Sequence, residues 1–113
     1  MKYLLLLVGD ESVWVNASEE ERRQMYAMHE KLGAELARKN AFVAGEELAH
    51  SSSATTVRNE GGKSLISDGP YAEVTEHLGG FYLIEAANLD EALGYAKMLP
   101  GTVEVRPVVE HQG

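Results

Sequence analysis

The chain contains no cysteine, only three prolines, two phenylalanines and one tryptophan, and its 10 lysines and arginines are outnumbered by 18 aspartates and glutamates. Each shortage closes a class of function. Without thiols there is no disulfide, no thiolate metal ligand and no cysteine nucleophile, so the fold must hold by packing alone, and the composition fits a reducing compartment. The formal net charge is -8, and the basic residues are scattered rather than gathered on one element. That is no footprint for a phosphate backbone, and nucleic acid is not an expected partner. The apolar opening from Met1 to Val8 is far shorter than a membrane span and stops at Gly9-Asp10-Glu11 without a small-residue cleavage site. It reads as a buried strand of a cytoplasmic protein with no membrane partner. No low-complexity tract or internal repeat is present, and 113 residues that are 44% hydrophobic suit one domain, residues 1–113, with one core.

What the chain does contain is a sequence of well-marked elements. Tyr3 to Val8 is continuous and apolar, the pattern of a central strand. Glu11 to Ala17 carries Trp14 between two valines, and its conformation stays open. Ser18-Glu19-Glu20-Glu21 is a capping box, and a helix runs from it to Arg38-Lys39-Asn40 with acids at its start and bases at its end. Met25, Met28, Leu32 and Leu36 form its apolar stripe, with His29 on or beside it. Ala41 to Gly45 is a second strand. Thr55 to Arg58 and Lys63 to Ile66 flank Asn59-Glu60-Gly61-Gly62 as a β-hairpin. After Asp68-Gly69-Pro70, a short helical segment is expected toward His77, ended by Gly79-Gly80. Phe81 to Ala86 is a strand, Asn88 caps a second helix closed by Pro100-Gly101, and Thr102 to Val109 is a last strand, with Pro107 favouring a sheet edge.

With the hairpin set aside, the order is βαββαβ, the ferredoxin-like α+β plan with both helices on one face of an antiparallel sheet. Leu4 to Val8 and Phe81 to Ile84 are too apolar for the other face to meet water, so a homodimer with sheets packed together is expected.

Several stretches then combine. Met1-Lys2-Tyr3-Leu4-Leu5-Leu6 with Gly9-Asp10-Glu11, His29, Thr55-Thr56-Val57-Arg58, Asp68-Gly69-Pro70-Tyr71, Gly79-Gly80-Phe81-Tyr82 and Val103-Glu104-Val105-Arg106-Pro107 together resemble the YCII-related proteins of the DGPF branch. The resemblance spans nearly the whole chain. It implies a bacterial cytoplasmic protein, a dimeric α+β barrel and, for most members, no established activity. In the YciI-like group a histidine and an aspartate are suspected as an active-site pair, and one relative is a dehydrochlorinase acting on a chlorinated hydroxyquinol. His29 matches that histidine. The Asp-Pro of the YciI type stands here as Leu99-Pro100, which leaves Asp68 as the candidate acid. Tyr71 replaces the usual phenylalanine of the motif. The resemblance also links such proteins to regulation beside extracytoplasmic sigma factors.

Two readings follow from these residues. In one, His29 is the acid/base group, with Asp68 fixing its tautomer and stabilising its charged form, and with Tyr71 and Phe81 as candidate ligand contacts, in a pocket between the sheet and the first helix that takes a small cyclic or aromatic molecule. In the other, the chain is a non-catalytic regulatory or protein-interaction module, His29 is a packing histidine and Asp68 a turn residue. His77 reads as solvated. His29, His50, His77 and His111 share no short ligand spacing, so no metal is expected. No glycine-rich phosphate loop and no Gly-x-Ser-x-Gly elbow is present, so no cofactor and no serine hydrolase chemistry are expected.

Overall fold

The apolar opening run lies at the middle of the sheet. In a computed structural model describing residues 1–111, β1 (Lys2–Asp10) pairs antiparallel with β5 (Glu76–Glu85) on one side and with β6 (Thr102–Pro107) on the other. β2 (Phe42–Glu47) pairs antiparallel with the far edge of β5, giving the order β2-β5-β1-β6. β3 (Thr55–Glu60) and β4 (Lys63–Asp68) form a separate two-stranded sheet. With that hairpin left out, the order is that of a ferredoxin-like α+β fold. β6 is an edge strand, where Pro107 ends the pairing without depriving an inner ladder of its N–H.

Among the described residues three α-helices join these strands: α1 (Glu11–Val15), α2 (Glu19–Arg38) and α3 (Leu89–Ala96). Asp10 starts α1 by accepting from the Ser12 N–H at 2.9 Å. The capping box of α2 is complete, with the Glu21 N–H donating to Ser18 Oγ at 3.0 Å and the Ser18 N–H to Glu21 Oε1 at 3.1 Å. Such a cap is worth about 1 kcal/mol. At the other end Asn40 takes the left-handed conformation, φ 54°, while the Ala41 N–H reaches back to the Leu36 carbonyl and the Asn40 N–H to that of Ala37. This Schellman closure turns the chain within two residues, which is why β2 follows α2 with almost no linker. No described helix is long and apolar enough to cross a membrane.

Side chains alternate across the sheet. Tyr3, Leu5 and Ile84 point toward the helices and are buried in one cluster with Leu32 and Leu36 of α2, Ala92 and Tyr95 of α3, and Leu99. Both long helices therefore cover the same face. Leu4, Leu6, Phe81 and Leu83 point the other way, paired directly as Leu4 with Leu83 and Leu6 with Phe81, and are half-buried by one another alone.

Three local expectations are corrected. The segment after Pro70 forms no helix; it is irregular to Thr75, and β5 begins at Glu76 and takes in Gly79 and Gly80. The β-branched Val74 and Thr75 disfavour a helix there, and Gly80 is needed inside the sheet: a Cβ on it would stand 2.8 Å from the Glu46 carbonyl oxygen. Gly79 lies where the β1–β5 register shifts between Leu7 and Val8. Met28, expected on the buried stripe, is 37% exposed, because the apolar face of α2 narrows toward Leu32 and Leu36. His77 is not solvated: it stands opposite Gly9 and is half-buried.

Candidate functional site

His29 lies one turn before Leu32 on α2, so it faces the sheet at the margin of the core. Tyr82 points at it from β5, opposite Leu5 on one neighbouring strand and Gly45 on the other. His29 Nδ1 and the Tyr82 hydroxyl are 2.7 Å apart, and the two rings stack with centroids separated by 5.8 Å and planes inclined at 16°. Gly45 makes room for this pair. A Cβ there would lie 3.2 Å from Cδ1 of the Tyr82 ring and 3.2 Å from the Phe81 carbonyl oxygen.

A second polar pair borders the first. Tyr26, three residues before His29 on the helix, donates its hydroxyl hydrogen to the Glu47 carboxylate, with oxygen separations of 3.0 and 3.1 Å. Burial holds the His29 pKa below the ordinary imidazole value, a pull that the negative charge of Glu47 opposes only in part. The imidazole is therefore neutral at pH 7. Burial likewise pushes the Tyr82 phenol up, so it keeps its proton. A neutral imidazole beside a protonated phenol is a competent proton acceptor, because one ring nitrogen is tied to the hydroxyl and the other is left for a ligand.

The sequence candidates fall in separate places. Asp68 ends β4 opposite Thr55 on the exposed hairpin, and among the described residues its carboxylate makes no side-chain hydrogen bond or ion pair. The side chain bonded to His29 is Tyr82, not Asp68. Tyr71 is 74% exposed, and its backbone carbonyl accepts from Arg58 at 2.5 Å. Phe81 neighbours Tyr82 in sequence but lies on the opposite face of the sheet, against Leu6. Among the described residues, two shallow hollows of about 360 and 280 Å³ lie over α2 and beside Tyr95, and His29 lines neither.

Sequence reading missed Tyr82, although strand alternation from Leu5 and Ile84 puts it on the helix side. It also missed a cluster around Glu11. That carboxylate accepts from the Ser51 N–H at 2.7 Å and the Ser51 hydroxyl at 2.5 Å, with His77 Nδ1 at 3.3 Å and His50 Nε2 at 3.5 Å from Oε1. The Ser51 hydroxyl chiefly holds the Glu11 carboxyl below the usual glutamate range. Among the described residues no group of three or more His, Asp or Glu is arranged to hold a metal ion. The cluster fastens the turn at the foot of the β3–β4 hairpin to the start of α1.

A four-stranded antiparallel sheet with its two longer helices on one face defines a ferredoxin-like α+β protein. The chain belongs to the family of the YCII-related domain, whose model matches residues 1–112. It is 35% identical over 114 residues to an uncharacterized protein of Rhizobium meliloti (strain 1021), an alignment that covers 96% of this chain and 92% of that protein.

Proposed function

We propose that the protein is a homodimer that binds a small cyclic or aromatic molecule and transfers a proton to or from it at His29. The observation that carries this reading is the 2.7 Å contact between His29 Nδ1 and the Tyr82 hydroxyl, made at the margin of the core by an imidazole that is neutral at pH 7. In the tautomer whose Nδ1–H donates to the Tyr82 oxygen, Nε2 bears the lone pair, and stacking on Tyr82 fixes the ring plane. The surroundings favour a neutral ring with a weakly acidic proton over an anion: Tyr26, Trp14 and Tyr82 supply aromatic faces, whereas Glu47 and the overall charge of -8 repel negative ligands. A phenol has that chemistry.

The uncovered sheet face supports the homodimer reading. Leu4, Leu6, Phe81 and Leu83 form an apolar patch on the two central strands, and Glu46, Glu104 and Arg106 at its margin supply both signs of charge for a two-fold partner.

Catechol is a suitable probe for calorimetric titration, with the emission of the single Trp14, whose ring meets Tyr26 edge-on at 5.2 Å, as a second readout. Saturable binding is expected, weakened about tenfold or more by His29→Gln and less by Tyr82→Phe. Binding that His29→Gln leaves unchanged removes His29 from the role.

A further inference from the structure

The hollow of about 280 Å³ beside Tyr95 lies at the start of β2, away from the His29 pair at Gly45. The C-terminus of α2 brings Lys39 and Asn40 to it, the end of β5 brings Glu85, and α3 brings Glu91 and Tyr95. None of these residues takes part in the contacts of His29.

Tyr95 is the member that packing does not explain. It is 5% exposed, its hydroxyl is shut off from solvent, and among the described residues that hydroxyl has no hydrogen-bond partner. Buried hydroxyls are nearly always bonded, because one that gives up water without a replacement is left with the whole cost of desolvation. Phenylalanine would fill the same place in the core without that cost. Burial, and after it the charges of Glu91 and Glu35, push the phenol up, so it keeps its proton and has one to donate. The charged groups that act on it sit at the ends of long side chains: Glu91 one turn earlier on α3, and the Glu35–Arg38 ion pair of α2, closed at 2.7 Å. Such ends swing aside where backbone cannot.

The backbone around the hollow has no donor left for a ligand. The N–H groups of Lys39, Asn40, Ala41, Glu85 and Ala86 are spent on carbonyls, and that of Ala87 on Glu91 Oε1 at 3.2 Å. Recognition therefore falls to side chains. Glu85 has Oε2 3.3 Å from the Met1 nitrogen, and both Glu85 and Glu91 have their other oxygen unbonded among the described residues. Lys39 brings an ammonium that forms no ion pair among the described residues. A simple cation is repelled by Lys39 and a simple anion by the two glutamates, whereas a molecule bearing both charges meets a complementary group twice.

We propose that this hollow binds a small zwitterion, an ammonium and a carboxylate on one short carbon skeleton as in a free amino acid. The ammonium donates to Glu85 and Glu91, and the carboxylate accepts from Lys39 and, with the ends of Glu35 and Arg38 moved aside, from the Tyr95 hydroxyl. The methyl groups of Ala41, Ala86 and Ala87 wall the hollow and favour a small side chain.

Calorimetric titration of the full chain with L-alanine, and with ethylamine and propionate as its two charged halves, tests this. Saturable binding of alanine is expected, at least tenfold tighter than either half, weakened about tenfold by Tyr95→Phe and by Lys39→Met and unchanged by His29→Gln. Thermal unfolding separates a ligand contact from a packing role. Without alanine, Tyr95→Phe should melt no lower than wild type, because it removes an unbonded oxygen, and at one fixed alanine concentration wild type should gain more in midpoint than the variant. No saturable binding of alanine overturns the site. Ethylamine or propionate binding as tightly as alanine overturns the zwitterion. Equal alanine affinity in wild type and Tyr95→Phe overturns the role of the hydroxyl, and a Tyr95→Phe protein that melts well below wild type shows that the oxygen serves the fold itself and overturns the proposal.

Discussion

The four-stranded sheet and the β3–β4 hairpin are made of similar strands, yet Leu5 in one is fully buried and Ile66 in the other is 72% exposed. Pairing is thus not what separates them. Both are paired antiparallel, the hairpin without a register shift, but only the sheet has a second layer, α2 and α3, against which its apolar face loses water. Burying a leucine or isoleucine side chain contributes about 1.5–3 kcal/mol, and the hairpin forgoes that contribution at each of Val57, Leu65 and Ile66 within one protomer. The body is held by packing and the hairpin by its turn and its foot. The largest expected effect tests that contrast. Leu36→Ala should cost about 2–5 kcal/mol in urea unfolding, whereas Ile66→Ala, at concentrations where single protomers prevail, should stay within about 0.5 kcal/mol. Comparable losses at the two sites would mean that the hairpin is packed in the protomer after all.

The same contrast explains what was legible in the sequence. The capping box at Ser18, the Asn88 cap, the central strand from Tyr3 and the hairpin around Gly61-Gly62 are local patterns, and each formed where its residues indicated. His29 was legible as a residue at the edge of a stripe. Its partner was not, because Tyr82 is 53 residues away, and only the docking of α2 on β5 makes them neighbours. The Glu11 cluster was hidden for the same reason: Ser51 lies 40 residues from Glu11, and two histidines with no common spacing meet one carboxylate through the fold. The misread stretch was Pro70 to Gly80, where Pro and a double glycine imitate helix punctuation. There the tertiary approach of β2, rather than the local pattern, determined what the glycines do.

That approach can be tested within one dipeptide. A Cβ on Gly80 would lie 2.8 Å from the Glu46 carbonyl oxygen and 3.4 Å from Leu7 Cδ1, whereas one on Gly79 would meet nothing nearer than 3.8 Å. Backbone, unlike the end of a side chain, cannot swing aside. Gly80→Ala should therefore destabilise by about 1–3 kcal/mol and loosen the Tyr26–Glu47 contact, since Glu47 is the residue paired with Gly80. Gly79→Ala should fall within about 0.5 kcal/mol. Equal effects in thermal unfolding would mean that β2 does not press on Gly80.

The smallest effect is a dependence on pH. Burial lowers the His29 pKa in the folded protein, so the folded state holds a neutral imidazole where the unfolded chain, with its ordinary value of about 6.5, already binds a proton. Stability rises with pH wherever the unfolded state binds more protons. The contribution of His29 is therefore complete above about pH 6.5, is lost as the pH falls from there through the lower folded value, and changes no further once both states are protonated. Because the ring is only half-buried, solvent keeps the slope shallow. Urea midpoints at pH 7.5 and pH 5.5 should fall further for wild type than for His29→Gln, the double difference cancelling the other histidines and the carboxylates. If the midpoints of the two proteins drop equally, His29 is charged in the folded state at pH 5.5, and an acid stronger in its effect than Glu47 must stand beside it.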